Sequence, residues 1–414
     1  MSRPRVLLAH PWMGRGGSEA TAMWTLDAMQ NRAVITFTTA SPLSDADWTA
    51  LNKTYGTAVD PNQIEVIQAP RLPTVNDGHR FSHLQRALLE RHCQQLAPSY
   101  DLCISAYNPI DFGKPGIQLV GDFSFSEPMR KRLYIHGGEQ FTSKESPWRK
   151  AYIGLGDFLC RHSRALSDRG DLILANSDWC RSQLQRHFGV SNAEVLSPPV
   201  TLPSAPENVE RDPFGFACLG RIVPEKELDR LIDILSAVRK RGFSVHLALI
   251  GDLDGSAYAT HIAQRVAGHD WIRPTGFLDL EAKREVLAQQ TFAIHGCRIE
   301  AFGIAVAEMA AMGCIPFVPD SGGASEVVDL PELQFGNEQE AVEKIVSLLE
   351  DKARVPKLAN QIQERVGNLG PDSFQRGLIE HTSQFLKSPR TVAHQVAAFQ
   401  SGHVVSDSHR PSLV

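Results

Sequence analysis

A strand–helix alternation that runs its course, stops at a proline-rich seam and starts again constrains this chain more than any other feature. In the first half, RVLLAH (5–10) reads as a strand buried on both faces. Further apolar runs follow at AVITFTTA (33–40), IEVIQA (64–69), DLCISAY (101–107), GIQLVGD (116–122), DLILANS (171–177) and AEVLSPP (193–199). Amphipathic stretches of helix length, such as 79–96 and 178–188, lie between several of them. Such alternation predicts a parallel sheet with helices on both faces. The stretch 198–213, PPVTLPSAPENVERDP, carries five prolines in sixteen residues and almost no periodicity, so it reads as a linker. Beyond it the pattern restarts with FGFACLG (214–220), VHLALIGD (245–252), WIRPTGF (271–277), TFAIHGC (291–297) and CIPFVPD (314–320). Helices are predicted near 227–241, 256–267, 279–290 and 304–313, then at 338–351, 352–367 and 372–387, the last with Asp372 and Ser373 as capping candidates.

The predicted fold class is therefore α/β, with two tandem doubly wound, Rossmann-like domains facing across a cleft. Residues 1–200 form the first domain, 201–213 the linker and 214–370 the second domain. Residues 371–388 form a helix returning to the first domain, and 389–414 a mobile tail in which 392–399 suits a short helix. A length of 414 residues accommodates two such domains. In open parallel sheets, ligands bind beyond the carboxyl ends of the strands. The loops after residues 10, 220, 252, 277, 297 and 320 are thus where chemistry is expected.

Charge narrows the partners. The net charge is -5, against the basic surplus of a dedicated nucleic-acid binder. Residues 1–200 hold 21 basic and 19 acidic side chains, whereas 201–414 hold 21 and 28. The basic excess concentrates between Arg130 and Arg164, through Lys131, Arg132, Lys144, Arg149, Lys150 and Arg161. That stretch reads as a solvated helix face, or as a peripheral contact for anionic headgroups or a phosphorylated acceptor. Seven cysteines without a C-x-x-C pair suggest reduced thiols in a cytoplasmic protein. The apolar run near the N-terminus is short for a signal peptide, and none elsewhere has the length of a membrane span.

Two constellations carry chemistry. In CLGRIVPEK (218–226) a strand ends at Leu219 and Gly220, and Arg221 and Lys226 follow just before a helix. Two cations beside a helix N-terminus suit a diphosphate, although this segment alone reads equally well as a surface loop. In RIEAFGIAVAEMAAMG (298–313) a loop carries Glu300, and Phe302-Gly303 leads into a helix of small and apolar residues around Glu308. A carboxylate in such a helix needs a partner, either a sugar or ribose diol or an arginine elsewhere in the fold. The free N–H groups near Gly303, Ile304 and Ala305 suit phosphate oxygens.

The pattern E-x-F-G-x-x-x-x-E (300–308), with the DSGGxxEVV run ending at 328, resembles the donor-site signature of glycosyltransferase family four. This is a family of retaining enzymes with the GT-B fold that use nucleotide sugars. GRIVPEKELDRLI (220–232) resembles its diphosphate loop, LILANSDWC (172–180) its first-domain strand end, and HPWMGRGGSE (10–19) the glycine loop after its first strand. The wording GCIPFVPDSGG (313–323) is most similar to mannosyltransferases of lipid-linked oligosaccharide assembly. The resemblance implies transfer of a hexose from a UDP- or GDP-linked donor to a glycan or lipid-linked acceptor, without a cofactor or metal for donor binding. It implies that Arg221 and Lys226 hold the diphosphate, and that Glu300 meets the donor sugar and Glu308 the ribose. Phe302, Gly303, Ile304 and Ala305 would form the turn under the phosphates, Gly16 and Gly17 would approach from the other domain, and Glu326 would support structure.

One departure concerns the acceptor. Where relatives carry a histidine after the strand KPGIQ (114–118), this chain has LVGDFSF, so Asp122 and His136 become the acceptor candidates, each with an alternative as a turn or loop residue. The D-L-D at 252–254 reads as a turn rather than a metal motif, and Glu19 replaces the third glycine of a dinucleotide fingerprint. His10 and His295 have no ligand spacing, so core or loop roles are expected. Two competing readings are a nucleotide-sugar epimerase, which needs an acid/base pair about the sugar, and a non-catalytic transferase subunit, which needs none of these polar residues.

Overall fold

The computed structural model describes residues 3–14, 16–71, 81–133, 147–160, 164–201 and 209–387. His136, Lys144, Arg161, the tail from 389 and much of the linker lie outside the described residues. Seven strands form the first sheet: β1 (Arg5–Ala9), β2 (Val34–Thr39), β3 (Ile64–Gln68), β4 (Leu102–Ser105), β5 (Ile117–Val120), β6 (Leu172–Ala175) and β7 (Glu194–Val195). Their order is β3-β2-β1-β4-β5-β6-β7, all parallel. Val6, Leu7, Leu8 and Ala9 are buried in succession, as a strand with both faces covered requires. The helices are α1 (Gly17–Met29), α2 (Asp45–Tyr55), α3 (Ser82–Leu96), α4 (Glu127–Leu133), α5 (Pro147–Leu159) and α6 (Asp178–Phe188).

The second sheet has the order β10-β9-β8-β11-β12-β13 and is also parallel. Its strands are β8 (Asp212–Leu219), β9 (His246–Ile250), β10 (Ile272–Gly276), β11 (Gln290–Ile294), β12 (Ile315–Pro319) and β13 (Gln334–Phe335). Pro274 falls on the edge strand β10, where a missing N–H costs no ladder bond. Helices α7 (Leu228–Lys240), α8 (Ala257–Ala267), α9 (Leu280–Ala288), α10 (Ile304–Ala311), α11 (Gly323–Val328), α12 (Glu338–Glu350) and α13 (Val355–Val366) surround this sheet. Stacked phenylalanines fill its centre, Phe216 and Phe292 lying 5.0 Å apart by ring centroids. A last helix, α14 (Pro371–Lys387), buries Phe374, Leu378 and Phe385 in the core of the first domain beside α1.

Two expectations needed adjustment. The run 193–199 gives only the two residues of β7, because Pro198 and Pro199 have no N–H to extend a ladder. Helix α2, which the apolar pattern did not single out, starts from a full capping box between Ser44 and Asp47.

In each sheet the strand order reverses next to the first strand of the domain, between β1 and β4 and between β8 and β11. Chains leaving such a pair diverge and open a crevice at the carboxyl ends. The two crevices meet across the cleft. Ser177 donates from its Oγ to the carbonyl of Ala301 at 2.5 Å, and the amide of Asp178 donates to Glu326 at 3.0 Å. No helix among the described residues is long and apolar enough to cross a membrane.

Candidate active site

The loop after β8 and the loop after β11 bring the predicted polar residues together. Lys226 reaches from the 224–226 turn and pairs with Glu300, each side chain keeping 20% of its surface exposed. Burial opposes both charges, but each partner outweighs it for the other. The Glu300 carboxyl is held far below the usual range, with His295 adding to the effect of Lys226. The Lys226 ammonium is held above its ordinary value by Glu300 and by the nearby Cys297. Arg221 is exposed on the same loop, close enough to act on Lys226 electrostatically.

The glycines of the following loop have a steric reason. A Cβ on Gly323 would lie 2.2 Å from the Ala301 carbonyl, and one on Gly322 2.7 Å from that of Glu300. Gly323 donates its N–H to the Glu300 carbonyl at 2.6 Å, and Ser321 donates to Arg298 at 2.8 Å. The SGG turn therefore forms the floor that fixes the Glu300 loop. Gly303, at φ 97°, starts α10 in the left-handed region without a side-chain cap. The first amides of that helix, at Ile304 and Ala305, consequently carry the positive end of the helix dipole with no capping side chain.

The first domain supplies the opposite wall. Tyr55 accepts from the Gly16 amide at 3.1 Å and donates to the Gly14 carbonyl at 2.9 Å, while Glu19 folds beneath the loop. A Cβ on Gly17 would stand 2.7 Å from Ile304 Cδ1 of the other domain. The glycine loop thus approaches the start of α10 closely.

Asp122 lies at the end of β5 and is tightly held. Its Oδ1 accepts from Asn108 Nδ2 at 2.6 Å, and from the amide and hydroxyl of Ser124 at 2.9 and 2.7 Å. Asn108 in turn accepts from the amides of Gly121 and Asp122, each at 3.2 Å. Asn108 is buried at φ 56°, a conformation that costs an L-residue energy and that asparagine tolerates better than most. His10 is fully buried at the end of β1, packed edge-on to Tyr107 at 5.4 Å, with both ring nitrogens lacking hydrogen-bond partners. Burial lowers its pKa against the pull of Glu19, so it stays neutral.

Other expectations are modified. Glu308 has a protein partner, Lys283 Nζ at 2.7 Å, where an arginine was the structural alternative. The ring of Phe302 is buried in the core of the second domain, so it holds the turn from behind and does not line the cleft. Glu326 accepts from the start of α6 across the cleft. Asp254 accepts from the Ser256 amide in a turn ahead of α8. Within the basic stretch, Arg164 is committed to the buried Asp111 at 2.8 Å and Arg130 to Glu127 at 2.9 Å. Arg132 and Lys150 stay exposed, as does Trp148 on α5, at 86%.

His295, expected in a core or loop role, is buried but stands at the site, with Nε2 3.1 Å from Glu300 Oε2. Nε2 nonetheless forms no hydrogen bond in this arrangement. The position of His295 near the end of the predicted strand 291–297, just ahead of a loop in which chemistry is expected, was the available signal; the strand itself ends at Ile294. Asn108 had a similar signal, an asparagine directly after a strand. The donor atoms of His295, Cys297 and Glu300 lie within 4.8 Å of one another. An ammonium already sits on the carboxylate, and burial pushes the Cys297 thiol up to about 12. The group therefore behaves as an ion pair backed by a histidine and a thiol.

Comparison with known proteins gives the fold. Among solved structures, Anabaena HepE in complex with UDP-glucose superposes with a TM-score of 0.63 at 17% identity, covering 92% of this chain and all of that one. The fold is GT-B. A sucrose-phosphate synthase from Thermosynechococcus elongatus has a TM-score of 0.67 at 14% identity over 93% of this chain and all of that one. WaaG, a glycosyltransferase of lipopolysaccharide biosynthesis, has a TM-score of 0.58 at 15% identity over 96% of this chain and all of that one. Residues 204–366 match the model of the family described as glycosyl transferases group 1. This covers most of the second domain, including the Lys226–Glu300 side of the GT-B cleft. An uncharacterized glycosyltransferase of Bacillus subtilis (strain 168), YqgM, is 26% identical over 213 residues. That alignment covers 50% of this chain and 59% of the length of the relative.

Proposed function

We propose that this protein is a glycosyltransferase that moves a hexose from a UDP- or GDP-linked donor to an acceptor hydroxyl with retention of anomeric configuration. The observation that carries the reading is the convergence of Arg221, Lys226 and the uncapped start of α10 on the loop of Glu300, inside the segment that matches group 1 glycosyl transferases. The diphosphate leaves with negative charge, and stabilising that charge lowers the barrier. Arg221, Lys226 and the amides at 303–305 are suited to this, without a metal ion. Glu300 would orient the sugar hydroxyls. Glu308, paired with Lys283, would meet the ribose, and Gly16 and Gly17 would close over the diphosphate. Retention fits front-side attack, in which a phosphate oxygen takes the acceptor proton.

On the acceptor side we assign Asp122, held by Asn108 and Ser124, to orient the attacking hydroxyl of a glycan or lipid-linked acceptor. The exposed Trp148, with Arg132 and Lys150 also exposed in the same basic stretch, supports peripheral contact with an anionic membrane on its cytoplasmic face. A thermal-shift panel of UDP, GDP and ADP sugars tests the donor reading. A fitting donor at about one hundred times its Kd is expected to add about 2.7 kcal/mol of stability. No shift with any nucleotide sugar would refute it. Incubation of the donor alone then separates transfer from epimerisation, which yields an isomer.

A further inference from the structure

His295 is a buried polar group at this site that the reaction as proposed does not use. Its Nε2 faces Glu300 Oε2 at 3.1 Å, the same oxygen that Lys226 engages, and no hydrogen bond satisfies it. Its backbone is pinned, since its amide donates to the Phe317 carbonyl at 2.9 Å. Among the described residues, Lys226 from the loop after β8 acts on this pair directly; Arg221 of the same loop acts on Lys226, and Glu227 acts on the neighbouring Cys297. From β12 the described contact is the Phe317 carbonyl.

Without donor, one ammonium balances one carboxylate. Burial and the nearby Lys226 both disfavour a charge on His295, and Glu300 alone favours it, so the ring is neutral. On the donor-site reading above, on which this inference rests, Lys226 must turn from Glu300 to the diphosphate. Glu300 then loses its counter-ion as two further negative charges arrive nearby. A partly buried carboxylate left so needs a cation or a proton. His295 is the group in place to supply it, needing only a small turn of its ring.

We propose that His295 is a positioning residue for Glu300, and that donor binding is coupled to uptake of one proton from solvent into the His295–Glu300 pair. No covalent bond changes. The proton enters as Lys226 moves to the diphosphate and leaves when the nucleotide departs. The protonated imidazole then hydrogen-bonds Oε2 and holds the carboxylate aimed at the sugar. The sign follows directly. The site binds more protons with donor than without, so donor affinity rises as pH falls, by at most about tenfold per pH unit.

Calorimetric titration with UDP-glucose and GDP-mannose tests this, since their diphosphates carry no proton that titrates near neutrality. Each is titrated at about pH 6.5, close to the ordinary histidine value, in two buffers of widely different ionisation enthalpy. Buffer-dependent heats corresponding to net proton uptake are expected for the donor that binds. In His295→Gln, whose amide still donates to Glu300 without titrating, binding is expected to persist without the buffer dependence. Glu300→Gln should also lose it, which gives a second variant should the first fold poorly. Equal heats in both buffers for the wild type, or uptake unchanged in a folded His295→Gln, would overturn the proposal while leaving the donor site intact. Failure of either nucleotide sugar, and of every sugar in the thermal panel, to bind would remove both.

Discussion

On the donor-site reading, the Lys226–Glu300 pair concentrates the proposed chemistry in two side chains. If Lys226 neutralises the leaving diphosphate and Glu300 orients the sugar, Lys226→Ala and Glu300→Ala should each lower turnover by roughly 10²–10³ while the protein stays folded. Donor consumption with and without acceptor measures this, and near-normal turnover in either variant would sink the assignment. The same pair carries a pH signature. The folded-state pKa of Glu300 lies below its unfolded value. Its stabilising contribution is therefore present above the unfolded carboxylate value of about 4.3 and fades as pH falls through the lower folded value. Comparing unfolding free energies of wild type and Glu300→Gln should show a gap of at most about 3 kcal/mol at neutral pH that narrows only in acid. Asn108 is a different case, because its left-handed backbone and its grip on Asp122 separate by mutation. Asn108→Gly relieves the backbone and loses the grip. Turnover should fall while the melting temperature changes little, and a fall in both together would mean that the residue serves folding first.

Between elements, the start of α1 packs closely against the start of α10. Gly17 has no room for a side chain against Ile304. Gly17→Val is expected to hold the domains apart and to cut turnover about tenfold or more, since a small misplacement of reacting groups is costly. The paired change Ile304→Ala should return much of that loss, because the clash is with the far end of one flexible side chain. A double-mutant cycle on turnover checks this. Additive losses would show that Gly17 acts through some other contact. The glycines at 322 and 323 serve a different end, allowing the floor of the Glu300 loop to come within hydrogen-bonding distance of its carbonyls.

For the whole molecule, α14 and the contacts of Ser177 and Glu326 join the two sheets into one working body. Residues that follow the second domain in the chain, Phe374, Leu378 and Phe385, complete the core of the first. Ser177 and Glu326 are hydrogen-bonded across the cleft itself. Removing both, in Ser177→Ala with Glu326→Ala, should loosen the closed arrangement while leaving each core intact. Small-angle scattering of the unliganded double variant is expected to give a larger radius of gyration, with a melting temperature lowered modestly because Ser177 also caps α6 through the Cys180 amide. An unchanged radius would mean that these bonds do not set the closure.

The α/β class and the two sheets were legible because buried parallel strands must be apolar for several residues in succession, and because helices over them repeat at a different period. The residues at the site were legible where a local rule demanded their type. Gly303 takes a left-handed turn, Glu300 and Lys226 are charges at strand ends, and the SGG run leaves no room for a Cβ. Other features depended on distance in space. That Lys226 pairs with Glu300, that Glu308 finds Lys283, and that His295 stands unsatisfied against the shared carboxylate are contacts between residues far apart in sequence or turned by a specific loop. Periodicity records which face of an element is buried, whereas the partner of a buried charge is decided only when two elements pack. By itself the sequence determined the elements and the kinds of group at their ends. The tertiary structure alone decided which of those groups balance one another, because electrostatic pairing acts over a few ångströms of space and not along the chain.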